Sequence, residues 1–345
     1  MRYLIVIWKS ICSKMTGVIR KTKSILVIGS GSDLNAAYAM LSKDKRNSVN
    51  AVHINNNISG EIIELINSAD YVYICSSVNY SLKEQIINLR TETNKAVFIV
   101  PQIYEISLVN SQVKYFNDLL VLKMNNVCLS KKREFIKRIF DIVTAVVVII
   151  VTLPLMLCTA ALIKLQDGGT VLFCQERLTK GGRSFMLYKF RTMADDAERH
   201  TGPVLAVKND CRITSIGRIL RDTRIDELPQ LFNVIKGDMS MVGPRPERPY
   251  FASKFSEAIP EFRYRLAVKA GITGLAQVLS KYSTTPENKL RFDMFYIKNY
   301  SLLLDITILV KTVGVIFKKN YSAGVRKSNE DDNSLNDYRG NVHIL

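Results

Sequence analysis

The chain has 345 residues, 47% of them apolar, which is enough to bury more than one hydrophobic core and predicts two folded units. Its formal net charge of +17 requires an anionic partner, either nucleic acid, anionic lipid or a phosphorylated small molecule. Acidic residues are interleaved with the basic ones and no zinc-finger, basic-zipper or RNA-binding signature accompanies them, which argues against a nucleic-acid partner.

Residues 1–23 contain one short apolar run, from Tyr3 to Trp8. The run lacks the length and the small-residue cleavage site of a secretion signal, so we interpret it as an anchor fragment or a first strand. The six cysteines form no CxxC pair and the three histidines lie far apart, so the sequence offers no zinc pattern. Scattered cysteines of this kind fit reduced thiols that face a cytosol.

Residues 24–130 have the pattern of an open, mostly parallel α/β sheet with helices on its faces. Apolar runs predict strands at 24–29, 51–55, 71–77 and 96–101. The turn GSGSD after the first strand is typical of a Rossmann-like nucleotide-binding domain, but Leu34 stands where a third glycine is expected. A fold that binds no ligand, or that serves regulation, explains this degraded motif as well as a working cofactor site does.

The segment from Ile142 to Ile163 contains no charged residue and is long enough to cross a bilayer core of about 30 Å as a helix. A buried core helix is the alternative, but uncharged runs of this length are uncommon in soluble domains. Pro154 predicts a kink, because proline removes a backbone hydrogen bond. Basic residues flank both ends: Lys131, Lys132, Arg133, Lys137, Arg138, Lys164, Arg177, Lys180 and Arg183. Since positive flanks stay cytoplasmic, residues 131–165 are predicted to form a basic entry and a proline-broken re-entrant membrane helix.

Residues 166–320 are predicted to form a mostly helical α+β domain that opens with two strands around the turn KGGR. Further along, four apolar residues recur at helical spacing: Leu228, Leu231, Phe232 and Ile235. They predict a short amphipathic helix that begins close to the adjacent carboxylates Asp226 and Glu227. A helix N-terminus favours negative charge, and Arg221 and Arg224 act in the same direction. Asp226 is therefore predicted to be ionised at neutral pH, as a nucleophile or a metal ligand.

The loop GDMSMVGPRPERP follows this predicted helix. Gly243, Pro244 and Pro246 fix the backbone around Arg245. A rigidly presented arginine beside two carboxylates suits a diphosphate substrate. The alternative is a capping carboxylate with ordinary surface salt bridges, which is common near helix starts. The proline-stiffened loop favours the substrate site.

Several motifs occur in one order between Lys137 and Phe317: KRIFD before the proline-broken apolar run, then YKFRTM, DELPQLFNVIKGDMS, VGPRPERP, GITGLAQV and FYIKNYSLLLDI. In these motifs the chain resembles the monotopic phosphoglycosyl transferases, also called bacterial sugar transferases. The earlier part, with the stretch VPQIYEI, is similar to the Rossmann-like domain that larger members of this group carry. The polar tail, residues 321–345, is predicted to be disordered.

The resemblance implies transfer of a sugar 1-phosphate from a UDP-sugar to a polyprenyl phosphate such as undecaprenyl phosphate, with release of UMP. It implies that Asp226 is the nucleophile and carries a covalent phosphosugar, with Glu227 as its partner and Mg²⁺ at Asp226 to neutralise the diphosphate. The matching substrate-binding positions are Lys189, Arg221, Arg245 and Asp293. For Lys189 and Asp293 a surface salt bridge is the alternative.

The same resemblance implies a catalytic domain on the cytoplasmic face of the bacterial inner membrane, in exopolysaccharide or capsule biosynthesis, and allows a homodimer. Two other classes of function stay open. A membrane-anchored sensor or scaffold would bind a nucleotide at GSGSD and predicts that Asp226 is dispensable. A dehydrogenase acting on nucleotide sugars is disfavoured by the missing third glycine and by the absence of a Tyr-x-x-x-Lys pair in that half. Glucose, galactose and N-acetylated amino sugars all fit as the transferred sugar.

Overall fold

The computed structural model describes residues 23–44, 46–54, 58–93, 95–124, 129–193, 210, 212–280, 284–316 and 342–344. The chain divides into two compact units, Met1–Pro101 with Asp331–Leu345, and Gln102–Glu330. The sequence places the domain boundary at residue 130 instead. The difference arises because Ile103 and Ile106 pack into the hydrophobic core of the second unit.

The first unit is an α/β structure. Its described strands are β1 Lys23–Gly29, β2 Asn47–His53, β3 Tyr71–Ile74, β4 Val97–Ile99 and, at the far end of the chain, β11 Val342–Ile344. Its described helices are α1 Gly31–Leu41, α2 Gly60–Ser68 and α3 Tyr80–Glu92. The strands pair in parallel in the order β11–β2–β1–β3–β4. The predicted parallel α/β architecture is confirmed.

Strand β1 is apolar on both faces because helices cover both sides of the sheet. Ile25 and Val27 pack in a cluster with residues of α1. Leu26 and Ile28 pack in a second cluster, with residues of α2 and α3. Because successive side chains of a strand point to opposite faces of the sheet, β1 contributes to two separate cores.

The tail differs in part from its prediction. Residues 321–341 lie outside the described residues, as does the N-terminal run from Tyr3 to Trp8. Residues 342–344, predicted to be disordered, form β11, which pairs in parallel with β2 from Ala51 to His53. An exposed sheet edge accepts such a strand through backbone hydrogen bonds, which a polar composition does not reveal.

The second unit is mostly helical. Its described helices are α4 Ile103–Leu108, α5 Lys131–Asp167, α6 Ser215–Thr223, α7 Gln230–Lys236, α8 Pro249–Ala258, α9 Leu275–Leu279, α10 Pro286–Lys298 and α11 Leu302–Ile316. Its described strands pair two by two: β5 Gln112–Phe116 with β6 Leu119–Lys123, β7 Leu172–Leu178 with β8 Ser184–Phe190, and β9 Ser240–Val242 with β10 Gly271–Thr273. The hairpin β7–β8 confirms the two strands predicted around KGGR, where Gly181 and Gly182 adopt positive φ.

Two glycines let the parallel strands β9 and β10 approach each other where the loop GPRP begins. A Cβ atom on Gly243 would collide with the carbonyl oxygen of Lys269, and one on Gly271 would collide with the amide nitrogen of Gly243. Side chains are therefore excluded at both positions. Since β9 is buried along its whole length, the loop starts from a fixed backbone position.

Helix α5 is 37 residues long and continues through Pro154. Within the described residues it is the one helix that is long and apolar enough to cross a membrane, and only 17% of its most apolar window is buried. Its exposed apolar side chains include Val146, Val147, Ile150, Val151, Leu153, Leu155 and Leu157. A buried core helix, the alternative considered above, would hide these side chains.

A buried ion-pair network fixes the first part of α5. Lys137 lies 2.7 Å from Asp305 of α11 and 3.6 Å from Asp141. Asp141 accepts a hydrogen bond of 3.1 Å from the backbone N–H of Met241 in β9. Tyr296 of α10 donates one of 2.8 Å to Asp305. The network therefore ties α5 to the strand that leads into the loop GPRP.

Replacing Lys137 with methionine should lower the free energy of unfolding by about 3–5 kcal/mol, because two buried carboxylates lose the cation that they share. The measurement is denaturation of the detergent-solubilised protein beside wild type. Lys254→Met on the exposed surface of α8 is the matched control and should change stability little. Equal stability of Lys137→Met and wild type would show that Asp141 and Asp305 need no cation.

Candidate active site

The acidic pair lies on a tight turn between two helices. Helix α6 ends at Thr223, and Arg224 adopts the left-handed conformation with φ 60°. Residues Ile225–Glu227 then form a single 3-10 turn, and α7 begins at Gln230. The predicted short helix that begins close to Asp226 is confirmed.

The buried face of α7 differs from the predicted apolar stripe. Leu231 and Val234 are buried, whereas Phe232 and Ile235 are exposed. Asn233 is fully buried and forms two hydrogen bonds with the backbone of β8, of 2.8 and 3.0 Å. Hydrophobic spacing cannot reveal a buried amide of this kind, which fixes α7 against the hairpin.

Three positively charged side chains surround the carboxylate of Glu227. Its Oε1 atom lies 3.0 Å from Lys189, 3.2 Å from Arg245 and 3.9 Å from Arg224. Burial raises the pKa of Glu227, but these three cations outweigh burial and hold that pKa well below its ordinary value. Glu227 is therefore ionised throughout the physiological pH range.

Asp226 lies beside Glu227 in a different environment. The residue is buried, and its Oδ1 atom has no hydrogen-bond partner among the described residues. Burial raises the pKa of Asp226, with Lys189 opposing and the charge of Glu227 reinforcing that shift. Arg221 also lowers this pKa, without reversing the net rise. The sequence predicts the opposite shift because it shows the neighbouring charges but not the burial.

Three of the predicted substrate-binding residues border this pair. Lys189 on β8 and Arg245 in the loop GPRP contact Glu227 directly. Arg221 on α6 donates a hydrogen bond of 2.8 Å from Nε to the hydroxyl of Thr192, and its charge acts on Asp226. Their roles toward a substrate stay predictions.

Asp293 lies elsewhere in the unit. It is 2% exposed on α10, and its Oδ2 atom lies 2.8 Å from Nη2 of Arg265. Burial raises the pKa of Asp293 to about 6, although Arg265 opposes the shift. The alternative of a surface salt bridge is wrong for Asp293, because the pair is buried. Nor does the described structure show a contact between Asp293 and the acidic pair.

Sequence reasoning missed Arg177 and Arg265. In the sequence, Arg177 was identified only as a basic residue that flanks the membrane segment. In the structure it donates a hydrogen bond of 3.1 Å to the carbonyl of Pro246 in the loop GPRP, and burial lowers its pKa to about 10. Arg265 belongs to the 3-10 turn Pro260–Ala267 and is buried. Both act on backbone that is distant in sequence, so no local motif marks them.

A divalent metal would find few ligands here. The described residues contain no group of three or more His, Cys, Asp or Glu side chains that could hold a metal ion. The orphaned Oδ1 atom of Asp226 is an available carboxylate oxygen. This donor set fits Mg²⁺, which uses one or two carboxylates together with phosphate oxygens and water.

The GSGSD turn of the first unit is hydrogen-bonded to Ser76 and Ser77, which follow β3. Oδ2 of Asp33 accepts hydrogen bonds from the hydroxyl of Ser76, at 2.8 Å, and from the amide of Ser77, at 3.1 Å. The hydroxyl oxygen of Ser77 accepts one of 3.0 Å from the amide of Ser30. A carboxylate thus occupies the first turn of α1, where a working fingerprint would place a nucleotide phosphate.

Lysine and arginine side chains surround the acidic pair, which suits phosphorylated ligands, and the same unit carries a helix long and apolar enough to cross a membrane. The family model described as bacterial sugar transferase matches residues 132–319. The match includes α5, the acidic pair and the loop GPRP, and extends over more than half of the chain. The chain belongs to the bacterial sugar transferases.

Similar proteins have been named in several bacteria. The UDP-N-acetylgalactosamine-undecaprenyl-phosphate N-acetylgalactosaminephosphotransferase of Aeromonas hydrophila is 49% identical over 185 residues, which cover 53% of this chain and 44% of that protein. The undecaprenyl-phosphate galactose phosphotransferase of Salmonella typhimurium is 30% identical over 331 residues, 86% of this chain and 69% of that protein. The UDP-glucose:undecaprenyl-phosphate glucose-1-phosphate transferase of Klebsiella pneumoniae is 33% identical over 277 residues, 76% and 59% respectively.

Proposed function

We propose that this protein transfers a sugar 1-phosphate from a UDP-sugar to a polyprenyl phosphate and releases UMP. The observation that carries the proposal is the buried, unpartnered Oδ1 of Asp226 beside Glu227, on which three cations converge. Cations so placed suit a diphosphate, and a carboxylate oxygen without a partner suits a nucleophile. The names of the three relatives support the same chemistry.

The proposed reaction has two exchanges at one phosphorus atom. A carboxylate oxygen of Asp226 attacks the phosphorus that bears the sugar, the bond from that phosphorus to the bridging oxygen breaks, and UMP leaves. A phosphate oxygen of the polyprenyl phosphate then attacks the same phosphorus and displaces the Asp226 carboxylate. The product is a polyprenyl diphosphate sugar. The covalent intermediate divides one difficult exchange into two easier ones.

The residues around Asp226 have separate tasks in this proposal. Lys189, Arg221 and Arg245 stabilise the negative charge that grows on the phosphoryl oxygens. Glu227 holds Lys189 and Arg245 in place through its Oε1 atom. Mg²⁺ held by Asp226 and the diphosphate would reduce the repulsion between the carboxylate and the substrate.

We also propose that α5 enters the cytoplasmic face of the inner membrane and returns to it. A straight helix of 37 residues would be about 55 Å long. Near its start, Arg138 donates hydrogen bonds of 2.5 and 2.7 Å to the carbonyls of Val234 and Ile235 at the end of α7. The first part of the helix is thereby held against the body that carries the acidic pair.

The last part of α5 is held against the same body. Met156 and Ile163 belong to a buried cluster with residues of β8 and α6. Leu228, next to the acidic pair, packs against this cluster and also against the core cluster that contains Ala145. Residues before and after Pro154 therefore belong to two clusters that both pack against Leu228. This supports a re-entrant geometry with the bend at Pro154.

The re-entrant geometry predicts that both ends of α5 face the cytoplasm. Single cysteines from Lys132→Cys and Gln166→Cys, placed in a background without native cysteines, should react with a membrane-impermeant maleimide only in inverted membrane vesicles. Both positions are exposed, so accessibility reports topology. Labelling of either cysteine in intact spheroplasts would show that the helix spans the membrane instead.

UMP release tests the proposed function. Detergent-solubilised protein should release UMP from a UDP-sugar through many turnovers only when Mg²⁺ and undecaprenyl phosphate are both present, and without the lipid it should release no more than one UMP per protein molecule. UDP-N-acetylgalactosamine is the first donor to test, since the relative at 49% identity is named for that sugar, followed by UDP-galactose and UDP-glucose. No UMP from any of these donors, with folded protein, would overturn the proposal. It would favour the membrane-anchored sensor, and the GSGSD turn would then be the first nucleotide site to test.

A further inference from the structure

The loop of residues 243–247 is held through four consecutive backbone carbonyls. The carbonyl of Pro244 accepts a hydrogen bond of 2.9 Å from Gly271, and that of Glu247 accepts one of 3.0 Å from Leu178. The carbonyl of Arg245 accepts one of 3.1 Å from Arg265, and that of Pro246 accepts one of 3.1 Å from Arg177. Two of the donors are backbone amides of neighbouring strands. The other two are the guanidinium groups of Arg177, which is half-buried, and of Arg265, which is buried, so the loop depends on the orientation of two side chains.

The loop depends strongly on hydrogen bonds to its carbonyls because its two prolines have no backbone N–H to donate. Pro244 and Pro246 have no N–H, so the carbonyls provide most of the backbone hydrogen bonds of the loop. The side chain of Arg245 reaches Glu227 at 3.2 Å. A shift of the Arg245 peptide would therefore move a guanidinium group of the acidic site.

Asp293 orients the donor to that peptide. Nη2 of Arg265 lies 2.8 Å from Oδ2 of Asp293 and donates to the carbonyl of Arg245. Nη1 of Arg265 lies 3.5 Å from Glu247, and its guanidinium group lies 4.7 Å from the ring centroid of Phe262. Arg265 is thus clamped between α10 and the loop.

We infer that Asp293 is a positioning residue, whose carboxylate orients Arg265 and thereby fixes the Arg245 peptide and its guanidinium group against Glu227. The inference rests on the proposed function and replaces the predicted contact between Asp293 and the substrate. The influence of Asp293 reaches the acidic pair through Arg265 and Arg245, two residues that sequence alone does not connect.

The carboxylate of Asp293 is buried beside Arg265. Burial raises the pKa of Asp293 to about 6 even though Arg265 is adjacent. A buried ion pair is weak evidence for stability, because desolvation can exceed the attraction between the charges. Burial therefore disfavours the ionised form of Asp293 in the folded protein, and the adjacent Arg265 offsets this only in part.

A double-mutant cycle tests the inference through turnover. Asp293→Asn and Arg245→Gln should each lower kcat, the former by about 10–100-fold, and the double variant should be little worse than Arg245→Gln alone. Coupling is expected because Asp293→Asn displaces the Arg245 guanidinium group and Arg245→Gln removes the same group. Effects that multiply would overturn the inference and indicate that Asp293 acts independently of Arg245.

Amide hydrogen exchange of the loop gives a readout that does not need activity. In Asp293→Asn the peptide that contains residues 243–248 should exchange faster than in wild type, by more than the change in global stability, measured by thermal unfolding, accounts for. Glu287→Gln is the matched control, since Glu287 lies on the same helix and pairs with Arg291 but is half exposed. If wild type releases no UMP, the proposed function fails while the exchange result still decides the positioning role. Unchanged exchange in Asp293→Asn would overturn it, and Arg265→Lys repeats the test should Asp293→Asn not fold.

Discussion

Asp226→Asn should lower UMP release by at least about 10³-fold, because the amide keeps the shape of the side chain but cannot act as the nucleophile. The protein should stay folded. Oδ1 of Asp226 has no hydrogen-bond partner among the described residues, so the substitution removes no contact at that atom. A coupled assay for UMP and thermal unfolding in the same detergent measure the two effects.

The same variant should form no covalent intermediate. Wild type incubated with the UDP-sugar and Mg²⁺, without lipid, should gain the mass of a sugar phosphate in intact-protein mass spectrometry. Asp222→Asn is the matched control, because Asp222 is an exposed aspartate at the end of α6, and it should gain the same mass. A mass gain in Asp226→Asn would assign the nucleophile to another residue.

The raised pKa of Asp226 sets the sign of two pH effects. The nucleophile must be ionised, so kcat/KM should fall as the pH decreases through a pKa that lies above the ordinary aspartate value. A carboxyl whose folded-state pKa is raised contributes stability below its unfolded pKa, and that contribution is lost as the pH rises through the folded pKa. Asp226→Asn avoids this loss, so at neutral pH it should be at least as stable as wild type.

Local patterns predicted the elements but not their assignment to the two units. The apolar run at 24–29 became β1, and the turn KGGR became the tip of the β7–β8 hairpin, because alternation and glycine act within a few residues. Helix α4 was placed with the first unit, whereas Ile103 and Ile106 pack in the core of the second. Two isoleucines specify burial and leave open which core accepts them.

For the acidic site, too, the sequence identified residues within one stretch but not the features that depend on distant residues. Asp226, Glu227 and Arg245 were found because they lie in one motif-rich stretch, and the structure joins Arg245 to Glu227. The pKa shift of Asp226 was predicted with the wrong sign, because burial is set by residues far away in sequence. Arg265 and Arg177 act on carbonyls of the loop from other elements, which only the folded chain brings together.

Glu227→Gln should lower kcat by about 10²–10³-fold, because the amide keeps an oxygen for Lys189 and Arg245 but loses the charge that holds three cations in place. KM for the UDP-sugar should not rise, since the cations that lose their counter-charge attract the diphosphate more strongly. UMP should inhibit the variant more tightly for the same reason. Steady-state kinetics with UMP as inhibitor measure all three effects.

Glu227→Gln should also move the acid limb of the pH profile. The charge of Glu227 raises the pKa of Asp226, so its removal should shift that pKa downward and extend kcat/KM to lower pH even as kcat falls. Glu257→Gln, an exposed change on α8, is the control and should leave the profile in place. If kcat falls in Glu227→Gln but the acid limb does not move, the acid limb does not report the ionisation of Asp226. The group whose ionisation controls the acid limb would then be another residue, and Asp293 would be the first to test because its pKa is raised to about 6.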